Sequence, residues 1–411
     1  MQQPSPLRIT AIGADGDGIA RRPDGTTAFI PFTLPGEQVD GSTVIDPSPE
    51  RIEPACPHFG TCGGCSLQHW AEAPYLAWKA GLLQDALDRA GYPDAVLAPI
   101  VASPPGTRRR MDLAVKRQNG VLTLGFHQRR GPIVDLDVCP VLDPVLAGLI
   151  PRLRQMLRRL TALKREGSAI VNLLTSGPDI LLRLDGTPSA NDRILLADFA
   201  NENGAPRIAI AEGSHATEPA AQRIPPVTMM SGVAVTAPPG AFLQASPLAE
   251  AAIVACVLAA LPAKRTSKTR VAELYAGCGT LSFALEPHIR VDAFEGDGPA
   301  LSALQAAANT AGLAGRIVAA KRDLTRQPLM AKELAAYPVV VLDPPFDGAA
   351  VQIAQIAVAK VPRVIYVSCN PAALARDART LHGAGYKLLS ATPIDQFLWS
   401  ARLESVVVFG K

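Results

Sequence analysis

The sequence predicts an α/β chain in three parts: a small β module over residues 1–52, a mixed α+β unit over 53–236, and a mostly parallel, doubly wound sheet over 237–411. Three observations carry this. From Thr269 onward, short β-branched runs alternate with helix-length segments, which is the pattern of βαβ units. Before residue 52 the runs are shorter and are separated by Gly, Asp and Pro turns. Between 108 and 236, strands and helices alternate without a repeat.

The chain has 411 residues, 48% of them hydrophobic, which is enough to bury more than one core. The longest apolar run, Ala251 to Leu261, is too short to span a bilayer, so no membrane partner and a cytoplasmic location are expected. Seven cysteines in such a chain argue for metal-binding or catalytic thiols over a disulfide framework. The net charge of +3 hides an uneven distribution: Arg108 to Arg165 holds thirteen Lys/Arg against four Asp/Glu. Such a stretch is either a set of solvated faces or a phosphate-contacting surface for nucleic acid.

In the first part, Leu7–Ile12, Thr27–Ile30 and Val39–Ile45 read as strands separated by Gly13–Gly18, Asp24-Gly25 and Pro35-Gly36. A five-stranded barrel of OB type suits this length, and such barrels often bind oligonucleotides. Next, Cys56, Cys62 and Cys65 are spaced C-x5-C-x2-C, and Cys139 follows at a distance. Gly63-Gly64 lets the backbone wrap closely around a bound object. Four thiolates, one of them distant, suit a [4Fe–4S] cluster better than zinc, which more often takes two tight pairs. His58 and His69 are read as ordinary neighbours. Residues 75–92 read as an amphipathic helix ending at Gly91, and Arg152–Lys164 as a basic-faced helix. Ala237-Pro238-Pro239-Gly240 reads as a hinge, after which Pro247 opens a helix running to Leu261.

In the last part, Arg270–Tyr275 leads into the glycine turn Ala276-Gly277-Cys278-Gly279-Thr280. Later strands end at Glu295, near Asp323, at Asp343-Pro344-Pro345-Phe346, and at Ser368-Cys369-Asn370-Pro371. Ligands of doubly wound sheets sit outside the carboxyl ends of the strands, so Tyr275, Glu295, Asp323, Asp343 and Cys369 are candidate site residues. Glu295, eighteen positions beyond Gly277, suits a ribose diol. Its alternative, like that of Asp323, is capping of a βα loop. So many acids near the glycine turn suit a neutral or cationic nucleoside such as S-adenosylmethionine better than a pyrophosphate. For Cys369 the ordinary alternative is a small buried hydrophobe.

The segments FLQAS, ELYAGCGTLSF, EGD, LDPPFDGA, YVSCNPAALARD and LESVVVF together resemble the RNA 5-methyluridine methyltransferases. CPHFGTCGGC with the later cysteine resembles their iron–sulfur branch acting on 23S ribosomal RNA, and the first module resembles a TRAM domain. The resemblance covers nearly the whole chain in the same order. It implies a Rossmann-like class I methyltransferase domain in which Gln244, Tyr275, Gly277, Thr280, Glu295, Asp323 and Asp343 surround S-adenosylmethionine. Cys369 would be the nucleophile, Glu404 the general base, and Cys56, Cys62, Cys65 and Cys139 the cluster ligands. RNA is the implied partner, with ribosomal RNA favoured over transfer RNA, a single-stranded or loop uridine as target, and the enzyme acting as a monomer. Two departures bear on substrate choice: Phe346 stands where the family usually has arginine, and Phe397–Arg402 lacks the family's usual histidines. Asp343-Pro344-Pro345-Phe346 also resembles the tip of adenine amino-methyltransferases, which need no cysteine. A catalytically inactive RNA-binding scaffold is the non-enzyme alternative.

Overall fold

In the computed structural model, residues 6–411 are described, apart from 214–216, 265 and 267. The first module comprises β1 (Leu7–Ile12), β2 (Gly18–Arg21), β3 (Thr27–Ile30), β4 (Gln38–Asp40) and β5 (Thr43–Asp46). They form an antiparallel sheet of order β3-β2-β1-β4-β5, around Ile9, Ala20, Ala28, Ile30 and Val39. The run read from sequence as one strand, Val39–Ile45, is the β4–β5 hairpin. The glycine-flanked β2 escaped the sequence pattern. β3 and β5 stand at the sheet's two edges.

After the cysteine loop come α1 (Glu72–Ala90) and the two-residue β6 (Val101–Ala102). Gly91 caps α1 in the left-handed region at φ 102°, which a glycine adopts without strain. The middle unit follows with β7 (Arg110–Gln118), β8 (Val121–Gly125), α2 (Pro144–Arg159), β9 (Glu166–Leu174), β10 (Gly177–Leu184), α3 (Ala190–Glu202), β11 (Arg207–Glu212) and β12 (Glu218–Gln222). Its six strands run in the order β12-β11-β10-β9-β7-β8. β13 (Val227–Met230) and β14 (Val233–Thr236) form a hairpin. The basic-faced helix begins earlier than expected, because Asp143 caps its start by accepting from Val145 N at 2.8 Å, and it ends at Arg159, before the extended Leu160.

The last unit comprises α4 (Pro247–Ala259), β15 (Arg270–Leu274), α5 (Thr280–Leu285), β16 (Arg290–Glu295), α6 (Gly298–Thr310), β17 (Ile317–Lys321), α7 (Ala331–Leu334), β18 (Val339–Leu342), α8 (Ala350–Ala359), β19 (Arg363–Ser368), α9 (Pro371–Gly383), β20 (Lys387–Asp395) and β21 (Glu404–Gly410). The sheet order is β17-β16-β15-β18-β19-β21-β20-β6. β15 to β19 are mutually parallel, and β21 runs antiparallel to β19 with Ser368 opposite Ser405. The start of β21 therefore shares an edge with the ends of the parallel strands.

Alternate residues explain the continuous apolar runs. Val339, Val341, Ile365 and Val367 enter the core on one face, whereas Val340, Leu342, Val364 and Tyr366 enter the core on the other. α1 belongs to this second layer: Leu83, Leu87 and Ala90 share a core with Leu374, Ala378 and Leu381 of α9. Residues 72–102, placed by sequence with the middle unit, thus pack on the large sheet. Among the described residues, no helix is long and apolar enough to cross a membrane.

Candidate active site

The glycine turn after β15 is built by backbone geometry. Gly277 and Gly279 have φ of 56° and 101°, and Tyr275 before them has φ 63°, a conformation that costs a non-glycine residue energy and gathers at functional sites. Gly279 tolerates no side chain, since a Cβ there would lie 2.6 Å from Phe283. Glu295 at the tip of β16 fastens the turn: its Oε2 accepts from Gly277 N at 2.8 Å and its Oε1 from Asp297 N at 2.6 Å. Asp323 is exposed and accepts from Thr325 N and Arg326 N, so it caps its own loop. Both acids therefore perform the capping that was their alternative reading, and both remain at the same strand edge. Thr280 opens α5 with its hydroxyl 3.7 Å from Met230 Sδ.

On the other side of the edge, four side chains form one buried network. Gln244, 5% exposed, donates through Nε2 to Asp343 Oδ2 at 3.1 Å. Gln396 donates to Gln244 Oε1 at 2.9 Å and also to Glu404 Oε2. Ala245 N donates to Gln396 Oε1 at 3.0 Å. Arg109, at the entry to β7, holds this segment by donating to the carbonyls of Gln244 and Ala245 at 2.9 Å each, and pairs with Glu250. Gln396 is the member of this network that sequence reasoning missed. It lies just past the end of β20, among residues with no motif of their own, and only the fold shows what it joins.

Glu404 is 3% exposed, and its Oε1 is buried with no hydrogen-bond partner. Burial, reinforced by the Asp343 carboxylate, raises its pKa well above the ordinary value. Burial likewise raises that of Asp343. Cys369, half-buried just beyond β19, is pushed up to about 12 by burial and then by Glu404 and Asp343, with Arg402 pulling the other way. The arrangement brings a thiol, an unpartnered carboxyl oxygen and the Gln244–Asp343 pair to one edge. Asn370 caps α9 by accepting from Ala372 N at 3.0 Å, so the residue after the thiol is locked. Arg402 lies over the Phe346 ring, 4.4 Å from its centroid, so the two departures from the family pattern contact each other.

Cys56, Cys62, Cys65 and Cys139 are all unpaired thiols and line a single cavity of about 550 Å³. Gly63 has no room for a Cβ, which would lie 2.7 Å from His127 O. Among the described residues, no three His, Cys, Asp or Glu side chains lie close enough together to hold one metal ion. His69 is a core residue packed with Phe32 and Phe59, its pKa pushed down to about 4 by burial. The same cavity is walled by Phe397, Leu398, Ser400, Ala401 and Arg402, the segment leading to Glu404. That segment is pinned from below: Ser66 N and Leu67 N donate to Trp399 O at 2.9 and 3.0 Å, Lys79 and Asp395 form a fully buried ion pair, and Tyr75 Oη donates to Asp395 at 2.6 Å.

The basic stretch is only partly a surface. Arg109 is committed to Gln244, Ala245 and Glu250, Arg117 donates to carbonyls at the end of α2, and Arg154 pairs with Asp135 and Asp137. Lys116, Arg130, Arg158, Arg159, Lys164 and Arg165 include the exposed cations that remain.

Residues 238–411 match the model of the tRNA (uracil-5-)-methyltransferase family. An RNA methyltransferase of Caulobacter vibrioides is 42% identical over 98% of this chain and 99% of its own. The 23S rRNA (uracil(1939)-C(5))-methyltransferase of Alkalilimnicola ehrlichii is 33% identical over 99% of this chain and 97% of its own. The crystal structure of a Pyrococcus abyssi tRNA (uracil-54, C5)-methyltransferase with S-adenosyl-L-homocysteine shares the fold with a TM-score of 0.72, at 18% identity over 98% of this chain and 100% of that one. The chain belongs to the RNA uracil-C5 methyltransferase family, whose members are S-adenosylmethionine-dependent enzymes.

Proposed function

We propose that this protein methylates C5 of a uridine in RNA, with 23S ribosomal RNA as the substrate, through a covalent adduct between Cys369 Sγ and uracil C6. The observation that carries the reading is the meeting of Cys369, Asp343 and the unpartnered Oε1 of Glu404 at one strand edge. Uracil C5 is too weak a nucleophile to take a methyl group unaided. Addition of the Cys369 thiolate to C6 moves the C5=C6 electron pair toward C5 and the C4 carbonyl. S-adenosylmethionine, when bound, would supply an electrophilic methyl group: C5 takes it with the electron pair gained from the addition, the S–CH3 bond breaks, and the neutral thioether is left behind. Glu404 Oε1 then removes the C5 proton, the C5–H electrons re-form C5=C6, and the thiolate leaves. Cysteine suits both halves because its thiolate attacks and departs readily.

Gln244 and Asp343 offer polar atoms beside Glu404, and Tyr275, Gly277, Thr280, Glu295 and Asp323 lie along the same strand edge, so these are the residues that would hold such a donor. Burial first, and then Glu404 and Asp343, raise the pKa of the thiol in the free protein; a cation held beside those two carboxyls would offset their share of the shift. A loop or unpaired uridine is the expected target, because the base must leave its stack to reach Cys369.

The cysteine cavity is assigned to a [4Fe–4S] cluster held by Cys56, Cys62, Cys65 and Cys139. Four free thiols lining one cavity, three of them close in sequence and one distant, are the donor set a [4Fe–4S] cluster would take. Its role is to pin the cysteine loop against the segment 397–402. The first module is assigned as TRAM-like and RNA-binding. The choice of ribosomal over transfer RNA rests on the cysteine spacing and on the 33% identical relative.

Nucleoside mass spectrometry on transcribed 23S rRNA and on tRNA, each incubated with the protein and labelled S-adenosylmethionine, tests the reading. 5-Methyluridine in the ribosomal transcript is expected. Label on an adenine amine overturns it in favour of the Asp343-Pro344-Pro345-Phe346 alternative.

A further inference from the structure

The network around Glu404 fixes which of its oxygens takes a proton. Gln396 is 4% exposed, and its Oε1 accepts from Ala245 N. Its Nε2 is therefore the end that faces Gln244 Oε1 and Glu404 Oε2. A primary amide has two N–H donors, and both are used here. Gln244 Oε1 acts as an acceptor, so Gln244 Nε2 points to Asp343 Oδ2. The donors thus run one way, from the Ala245 backbone to the two carboxyls. Glu404 Oε2 faces a group that only donates, which leaves Oε1, the buried oxygen without a partner, as the one that holds a proton.

We propose that Gln396 is a positioning residue for proton removal: it reserves Glu404 Oε1 for the proton of uracil C5 and ties that carboxyl to the donor pocket through Gln244. This rests on the function proposed above. In the step it serves, the C5–H bond breaks, an O–H bond forms at Oε1, the freed pair restores C5=C6, and the C6–S pair returns to Cys369. The titratable groups facing Glu404 are Asp343 at the end of β18 and Cys369 beyond β19, and Arg402 just before β21 acts on Cys369. The Lys79–Asp395 pair at the end of β20 and the Arg109–Glu250 pair against α4 are each already internally matched.

Gln396→Leu keeps the volume and removes both donors, whereas Gln396→Glu keeps the shape and turns the donating end into an oxygen. Single-turnover reactions with the 23S rRNA transcript, followed on denaturing gels, separate adduct formation from release. In both variants the methylated adduct is expected to accumulate, with release slowed about 10- to 100-fold, the scale of one hydrogen bond to a charged group. The acid limb of the release rate is expected to move to higher pH, because Glu404 loses the contact that favours its ionised form. S-adenosylhomocysteine affinity, read by calorimetry, should change by less than the release rate. Should Gln396→Leu fail to fold, Gln396→Glu carries the same comparison. Unchanged release and an unchanged pH profile, or equal slowing of formation and release, overturns the proposal. Failure of the underlying reading looks different: the unaltered protein forms no adduct, or Cys369→Ala still methylates.

Discussion

Replacing Glu404 by glutamine separates the two halves of the proposed chemistry. The side chain keeps its size in a site only 3% exposed, and its amide oxygen can still accept from Gln396. The new NH₂ occupies the place of Oε1, where no partner is displaced. What is lost is the capacity to take a proton. Addition of Cys369 and methyl transfer should survive, while elimination should slow by about 10²–10⁴-fold, the range for removing a positioned general base. Stability gives an independent check. The folded-state pKa of Glu404 is raised, so the favourable contribution of its protonated form is present at low pH and is lost as pH rises through that raised value. A neutral amide does not ionise, so Glu404→Gln should melt no lower than the unaltered protein at pH 8. The assay is a denaturing gel with end-labelled RNA and S-adenosylmethionine. A retarded band that includes the methyl label is expected. A well-folded variant that turns over normally, or one that forms no retarded band, refutes the assignment of Glu404 as the base.

Cys369→Ala should abolish both adduct and product while leaving S-adenosylhomocysteine binding intact; retained methyl transfer removes the thiol from the mechanism. Alkylation of Cys369 in the free protein, followed by peptide mass spectrometry, should rise about tenfold per pH unit from pH 7 to 10, since its thiol is pushed up to about 12. Arg402→Ala should slow that alkylation at every pH by removing the one nearby cation that lowers it, and a faster reaction would contradict the placement. Protein purified without oxygen should be brown with about four irons per chain, and Cys65→Ser should lower that content; a colourless protein with one zinc would overturn the cluster. Lys79→Met leaves Asp395 buried without its cation, which should cost about 3–5 kcal/mol and lower the melting temperature, whereas an unchanged melt would show the pair to be unimportant.

The parts of this protein legible in its sequence are those where local pattern and tertiary role coincide. β18 and β19 read as strands because both faces are covered, which makes every position apolar. The ends of those strands then located Asp343 and Cys369 without further information. β6 was invisible because two residues carry no period, and β2 because Gly18 opens it. Residues 72–102 were grouped by sequence with the middle unit because an amphipathic helix shows that it has a partner without showing which one; α1 shares its core with α9. Gln396 was hidden for a similar reason: a glutamine after a strand looks like surface until Ala245, Gln244 and Glu404 are seen around it. Arg109 and Arg117 contributed to an apparent basic surface, yet they are spent on carbonyls inside the fold.

The most direct test uses the unaltered protein and RNA carrying 5-fluorouridine at its uridine positions. Fluorine at C5 offers Glu404 no proton, so the adduct cannot resolve. Digestion and mass spectrometry should find the peptide containing Cys369 joined to a nucleotide that carries both fluorine and one added methyl group. Recovery of that peptide free, with methyl groups transferred elsewhere on the RNA, would contradict covalent catalysis by Cys369.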